Sequence, residues 1–183
     1  MLQKILVAID PSTTNQPVFD CALSLAKSFN ATLGLLYVFS FNDFKVPPSL
    51  RFETLEQYPT MLDDPINCYI GHLQPKPFKG ADNPEFNLLQ SYTHQAIAQG
   101  IPAEFFLCVG APGLAICDFA KVWQADLIVV GHRGHSGLTE LLLGSVSNYV
   151  MHHASCSVHM VRPQNPANAR EPDRVEVAEQ QGL

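Results

Sequence analysis

Asp126-Leu-Ile-Val-Val-Gly131 joins an apolar run to a glycine, with a second glycine at 134 and Gly144-Ser145 nine residues beyond that. An unbroken apolar run of this length is typical of a strand buried on both faces. Apolar residues at helical spacing follow, and they predict a helix whose last turn includes His153 and which begins near Ser145. The segment therefore predicts a strand, a glycine-rich turn and a helix in succession.

The same alternation of strand and helix continues outward from this segment. Between the strands lie helical patterns centred on Val18–Phe29, Phe86–Ala96 and Leu114–Trp123. A strand–helix alternation predicts a parallel sheet with helices on both faces, because right-handed crossovers place them there. The strands are predicted at Ile5–Ile9, Thr32–Phe39, Ala103–Val109, Asp126–Val130 and Ser157–Val161.

Domain organisation follows from the places where this alternation stops. Residues 42–84 hold seven of the fourteen prolines and show no lasting period, and a structureless loop of that length is uncommon in a compact domain. We interpret this insertion as short helices, a lid or a partner surface. The sequence thus predicts one domain over residues 1–163, followed by a flexible polar tail at 164–183.

Composition narrows the functional classes. The 183 residues carry a net charge of -6 with no basic tract, which argues against nucleic acid as a partner. No apolar run approaches the roughly 18 to 20 residues of a membrane helix, and no charged leader precedes Ile5, so we expect a cytoplasmic protein without membrane contact. Five singly scattered cysteines indicate neither a disulfide framework nor a zinc cluster, and we expect them to be small core residues.

The glycine segment has chemistry suited to phosphate. Gly131 and Gly134 lack a Cβ and permit a tight turn in which backbone N–H groups approach phosphate oxygens. Ser145 lies where unpaired N–H groups and the helix dipole favour an anion. The alternative is that both glycines only shape a turn and that Ser145 is only an N-cap. If the strands ending at Asp10 and Gly131 are neighbours at the switch point of the sheet, both residues face one crevice.

The spacing G-x-x-G, nine residues, then G-[S/T] resembles the motif of the universal stress protein family, nucleotide-binding type. It is matched without a gap by Gly131, Gly134, Gly144 and Ser145. The similarity extends through Lys4–Asp10, Ala125–Gly131 and Leu142–Ser147 and leaves out the insertion and the tail.

The resemblance implies a single-domain flavodoxin-like, Rossmann-like α/β fold with a doubly wound sheet of five parallel strands. It also implies binding of ATP with a divalent cation, Mg2+ or Mn2+, and a homodimer formed through the last strand, Ser157 to Val161. ADP, AMP or a cyclic nucleotide are alternative ligands, because a glycine loop distinguishes phosphate better than base or chain length. By this resemblance the adenine and ribose would meet Ala8, Asp10 and Val38, the ribose and phosphates Val130, Gly131 and Gly134, and the terminal phosphates Gly144, Ser145 and Val146.

Two histidines depart from the common family pattern. His132 stands where serine is frequent, and His135 where lysine or arginine is frequent. An imidazole is mostly neutral at pH 7, so either the affinity for phosphate depends on pH or both side chains simply face water. Arg133 remains as the fixed cation of the loop.

Whether the chain is an enzyme depends on groups that phosphoryl transfer needs. The segment lacks the G-K-[S/T] ending of a Walker loop, and no arginine finger is evident. Asp10 is open to two interpretations, a catalytic base or a contact to ribose or cation. His152, His153 and His159 do not form a metal site, because adjacent helical side chains diverge. We therefore predict a nucleotide-binding regulator of the stress response that acts as a ligand-dependent switch, with a slow ATPase or a ligand-independent interaction protein as alternatives.

Overall fold

The computed structural model describes residues 1–10, 15–40, 84–132 and 144–162, together with the backbone of 67–71. Within these ranges it contains six strands and four helices. In chain order they are β1 (Lys4–Ala8), α1 (Asn15–Phe29), β2 (Thr32–Phe39), β3 (Asn67–Gly71), α2 (Pro84–Ala98), β4 (Ala103–Val109), α3 (Pro112–Trp123), β5 (Leu127–Gly131), α4 (Ser145–His153) and β6 (Ser157–Val161).

All described strands form one sheet in the order β3-β4-β2-β1-β5-β6. Every strand pair is parallel except β3 with β4. The five predicted parallel strands are confirmed, and their spatial order of 3-2-1-4-5 in chain sequence is that of a doubly wound α/β fold. The first and fourth of them are neighbours, because β1 pairs with β5, and this meets the condition under which Asp10 and Gly131 would face one crevice.

The antiparallel strand β3 was not predicted. It lies inside the proline-rich insertion, at the edge of the sheet beside β4. A five-residue edge strand has too short a pattern to stand out among prolines, and its pairing is decided by the backbone of β4 rather than by its own periodicity. The rest of the insertion, at 42–66 and 72–83, and the whole tail at 164–183 lie outside the described residues.

Helices α1 and α2 cover one face of the sheet. Their apolar residues pack on the residues of β1, β2, β4 and β5 that point to that face. Phe19 of α1 stacks on Tyr92 of α2 with ring centroids 4.3 Å apart, and both side chains are buried. Offset or stacked aromatic pairs contribute beyond their buried area, so the two helices are joined to each other as well as to the sheet.

Helices α3 and α4 cover the opposite face, where two glycines permit close approach. A Cβ at Gly34 of β2 would lie 2.8 Å from the indole Cη2 of Trp123, and a Cβ at Gly113 of α3 would lie 2.8 Å from the Cβ of Tyr149 in α4. One edge of the Trp123 ring can therefore approach the backbone of β2, and α3 can pack closely on α4. The first contact fixes α3 on the sheet, and the second fixes α4 on α3.

At the amino end of the sheet, one carboxylate joins two neighbouring strands. Oδ2 of Asp126 accepts hydrogen bonds from the backbone N–H groups of Gln3 and Lys4, at 2.7 and 2.9 Å. These two donors stabilise the charged carboxylate and lower the pKa of Asp126 below its ordinary value. The start of β1 is thereby attached to the start of β5.

The expectation that the cysteines form no disulfide was wrong for Cys108. The expected burial in the core holds for Cys108 and Cys117, whereas Cys21 and Cys156 are half-buried. Cys21, Cys117 and Cys156 are free thiols, whereas Cys108 of β4 is disulfide-bonded. Nothing in the linear spacing of the cysteines indicates a bond, because strand pairing alone decides which residues meet. None of the helices in the described part of the chain has the length and apolar character needed to cross a membrane.

Candidate functional site

The carboxyl ends of β1 and β5 lie side by side at the point where the strand order reverses. Residues 5–7 of β1 pair with 127–129 of β5, so Ala8 and Gly131 end neighbouring strands. The N–H of Ile9 still donates to Leu36 O at 2.8 Å, which makes Asp10 the residue that leaves the sheet. In open α/β sheets this crevice is where ligands bind.

Ala8 and Val38 line one side of this edge. Ala8 is in register with Leu36 of β2, and Val38 is the next residue of β2 that points to the same face. Both are half-buried and pack against the apolar cluster under α3 and α4. The sequence-based prediction placed these two residues together, and the structure does so.

Asp10 is held by the first residue of α1. Its N–H donates to Oδ1 of Asn15 at 3.0 Å, and the Asn15 side chain is buried. An Asn side chain that accepts from a backbone N–H in this way replaces a hydrogen bond lost at the end of a strand. The sequence indicated turn chemistry over Asp10–Asn15 but not which residue holds Asp10.

His132 connects β5, α4 and β6 through its backbone. Its N–H donates to Val161 O at 2.8 Å. Its carbonyl oxygen accepts from the N–H of Gly144 and from the hydroxyl of Ser147, both at 3.2 Å. The two ends of the glycine segment are therefore adjacent, although the chain between them is not described.

Ser147 is a residue of the candidate site that the sequence did not predict. Its side chain is 2% exposed, and its hydroxyl lies 3.0 Å from Gly144 O and 3.2 Å from His132 O. A serine two positions after Ser145 looks like one more exposed polar residue of a first helical turn. The available signal was that it falls on the same helical face as Val150, which is buried.

The N-terminus of α4 presents backbone donors to this edge. Gly144 is the N-cap residue and, as a glycine, supplies no side-chain cap to the helix. The interpretation of Ser145 as a capping residue is therefore wrong, because Ser145 is the first helical residue and its side chain is exposed. The N–H groups of a first helical turn have no intrahelical partner and lie at the positive end of the dipole.

Most of the predicted site residues come together at this edge. Val130 is buried, so it offers a ligand its backbone rather than its side chain, and Val146 packs half-buried against the cluster under α3. Arg133, Gly134 and His135 lie outside the described residues. In the ranges that the structure describes, no group of three or more His, Cys, Asp or Glu residues is arranged to hold a metal ion.

The fold and the candidate site together define the class of this protein. It is a doubly wound α/β domain in which a helix N-terminus and a glycine-ended strand meet at the switch point of the sheet. The family model of the universal stress protein family matches residues 1–162. The chain belongs to that family, and its fold is flavodoxin-like.

Two relatives match over nearly their whole length. The universal stress protein Sll1388 of Synechocystis sp. is 35% identical over 161 residues, which are 87% of this chain and 97% of that protein. The universal stress protein YxiE of Bacillus subtilis is 33% identical over 162 residues, with 88% and 100% covered.

Solved structures share the fold at lower identity. The hypothetical protein MJ0577 superposes with a TM-score of 0.65 at 21% identity, covering 90% of this chain and 99% of that one. A universal stress protein in complex with cAMP gives 0.57 at 24%, covering 87% and 97%. A family member from Arabidopsis thaliana with AMP bound gives 0.55 at 20%, covering 92% and 97%.

Proposed function

We propose that this chain binds an adenine nucleotide, ATP with Mg2+ or Mn2+, and acts as a ligand-dependent switch in the stress response. The observation that carries the proposal is the adjacency at His132, whose carbonyl accepts from Gly144 N and Ser147 Oγ. It sets the first-turn N–H groups of α4, which have no partner within the helix, beside the end of β5. Two solved structures of the same fold hold cAMP and AMP, which supports an adenine nucleotide as the ligand.

The phosphates would be held mainly by the backbone. Gly131 leaves room for close approach at the end of β5, and the N–H groups of Ser145 and Val146 are donors at a helix N-terminus. The Ser145 hydroxyl is exposed and adds a further donor. With a net charge of -6, the attraction for an anion is local, and Arg133 and Gly134 complete the loop in this proposal.

The adenine and ribose would lie over the other half of the crevice. Ala8 and Val38 offer half-buried apolar surface on one face of the sheet, which suits a flat base. Asp10 offers a carboxylate to the ribose hydroxyls or to the cation. Mg2+ is usually held by one or two carboxylates together with substrate phosphates, so the donor set at this edge fits a metal ion that arrives with the nucleotide.

The switch would run through His132 to β6. Phosphate bound at the start of α4 pulls on Gly144 and Ser147, which both contact His132 O, and the N–H of His132 is bonded to Val161 at the end of β6. Two successive hydrogen bonds therefore connect the start of α4, where the phosphates would bind, with the edge strand β6. We propose that this edge, Ser157 to Val161, pairs two copies into a homodimer, because an unpaired strand edge invites another strand.

Three further assignments complete the proposal. The insertion at 42–84 serves as a lid or partner surface, the tail at 164–183 is flexible, and the protein works in the cytoplasm without nucleic acid or membrane as partners. Protection of the insertion from protease on addition of ATP supports a lid, and unchanged cleavage contradicts it.

The first test is a calorimetric titration of nucleotide-free protein with Mg-ATP, beside the Gly134→Val variant. We expect micromolar binding, about -8 kcal/mol, that is lost in the still-folded variant because the new side chain blocks backbone approach. Gly100→Ala is the matched control, since Gly100 has a φ of +79 at the turn after α2 and a substitution there strains the backbone away from the site. No binding to the wild type would contradict the nucleotide proposal. Turnover that disappears on replacing Asp10 would favour the slow ATPase.

A further inference from the structure

The antiparallel strand β3 brings two cysteines opposite each other. Cys68 of β3 and Cys108 of β4 are direct partners in the strand register. Directly opposite residues of an antiparallel pair have Cα atoms about 4.5 or 5.5 Å apart, depending on the position in the ladder. Both separations lie within the range of about 4.4 to 6.8 Å that a disulfide spans.

The state of the other cysteines identifies the bonded pair. Cys108 is disulfide-bonded, and three of the five cysteines are free thiols. Cys68 is the only cysteine that remains. We propose that Cys68 and Cys108 form a reversible thiol–disulfide couple, which attaches the strand of the proline-rich insertion to the sheet when oxidised and releases it when reduced.

The couple lies at the end of the sheet that carries the candidate site. Cys108 is in register with Val38 on its other side, and both belong to the apolar cluster on the face under α3 and α4. β3 is an edge strand whose described pairing is to β4 alone. A short edge pairing is marginal by itself, so a covalent bond within it has a large effect on whether the strand stays attached.

The chemistry requires an external small-molecule thiol or disulfide. In the proposed step the reducing thiolate attacks the sulfur of Cys68, which belongs to the edge strand, rather than that of the fully buried Cys108. A mixed disulfide forms, and Cys108 leaves as a thiolate that takes up a proton. A second reducing thiolate then attacks the mixed disulfide and frees Cys68. Two electrons pass from the two small thiols to the protein disulfide, which becomes two thiols while the small thiols become one disulfide. Oxidation by a small-molecule disulfide is the reverse.

The remaining cysteines are poor competitors for this exchange. Burial raises the pKa of Cys21, of Cys117 and of Cys156. Thiolates are the reactive species in disulfide exchange, so these three residues are less reactive at neutral pH. The couple is thereby confined to one pair.

The first test counts thiols in the full chain purified without reductant. Alkylation under denaturing conditions followed by mass spectrometry should modify three cysteines before treatment with dithiothreitol and five after it, and peptide mapping should recover a Cys68–Cys108 cross-link. Five modified cysteines before reduction, or a cross-link between other residues, overturns the proposal. A protein made in a reducing compartment is first equilibrated with oxidised glutathione, and failure to form the bond then also overturns it.

The second test measures attachment of the strand by hydrogen exchange. Reduction should speed exchange of the amides at 67–71 by more than about threefold, the measure of easier local opening, while amides of the other edge strand, β6, keep their rate. Cys68→Ser should exchange like the reduced protein under both conditions, and Cys21→Ser, which removes a free thiol, should respond like the wild type. Equal exchange in the oxidised and reduced protein overturns the release of the strand.

Discussion

The hydroxyl of Ser147 donates a hydrogen bond to the carbonyl oxygen of His132 across 3.2 Å, from the first turn of α4 back to the end of β5. His132 is in turn bonded through its N–H to Val161 of β6. One buried side chain therefore sets the distance between the glycine-ended strand and the helix that would receive the phosphates. Ser147 thus supports the candidate site from within the fold.

Replacing Ser147 by alanine should weaken both the fold and the site. Loss of one buried hydrogen bond should lower the free energy of unfolding by about 1 kcal/mol, and the looser start of α4 should lower the affinity for Mg-ATP. Urea denaturation and calorimetric titration measure the two effects. Ser28→Ala is the matched control, because Ser28 also bonds a carbonyl but is exposed. Unchanged nucleotide affinity in Ser147→Ala would contradict the positioning role.

Gly113→Ala should move α4. The new Cβ would lie 2.8 Å from the Cβ of Tyr149, and overpacking of this kind costs about 1 to 3 kcal/mol. Because Tyr149 is in α4, we expect lower nucleotide affinity together with lower stability. Gly34→Ala crowds Trp123 instead and should lower stability while leaving affinity nearly unchanged. If Gly113→Ala and Gly34→Ala bound Mg-ATP equally well, the position of α4 would not control nucleotide affinity.

Asp126→Asn should make the stability of the fold depend less on pH in the acid range. The folded state lowers the pKa of Asp126 through the N–H groups of Gln3 and Lys4. The carboxylate therefore stabilises the fold fully above its unfolded pKa, near 3.9, and this stabilisation is lost as pH falls through the lower folded pKa. Melting temperatures at pH 7 and at pH 3 should differ less in the variant. Asp118→Asn, at a surface pair with Lys121, is the control.

Val158→Pro should convert the proposed homodimer to monomers. Val161 O accepts from His132 N, so residues 157, 159 and 161 point their backbone groups toward β5, and Val158 points its N–H to the open edge. Proline is tolerated on an edge strand when its missing N–H faces outward, so the monomer should stay folded. Light scattering gives the mass, and Val158→Ala, which keeps the N–H, should remain dimeric. An unchanged mass in Val158→Pro would place the interface elsewhere.

Asp10→Asn should separate ribose contact from cation contact. The amide keeps the size of the side chain, and the bond from Asp10 N to Asn15 does not involve the carboxylate. If Asp10 meets the cation, the variant should bind ATP with little dependence on Mg2+, whereas the wild type binds more tightly with Mg2+. Titrations with and without the metal measure this. Equal Mg2+ dependence in both proteins would assign Asp10 to the ribose.

The sequence predicted the parts of this fold that follow from continuous local patterns. Long apolar runs such as Ile5–Ile9 gave the five parallel strands, and the spacing around Gly131 and Ser145 gave the junction. Contacts that depend on tertiary pairing could not be predicted from the sequence. The buried role of Ser147 depends on where α4 docks, and the meeting of Cys68 with Cys108 depends on an edge strand too short to recognise. Arg133 and Gly134 remain predictions, since the structure does not describe them.

Gly34 and Trp123 also restrict how the chain can diverge. The indole occupies the space that a side chain at position 34 would need, so the two positions are free to change only as a pair. A relative with alanine or a larger residue at position 34 should carry a smaller side chain at position 123, and a chimera that takes only one of the two should lose stability that the double exchange restores. The contact thus predicts that positions 34 and 123, which are distant in the sequence, vary together among relatives. A double-mutant cycle measures the coupling between them.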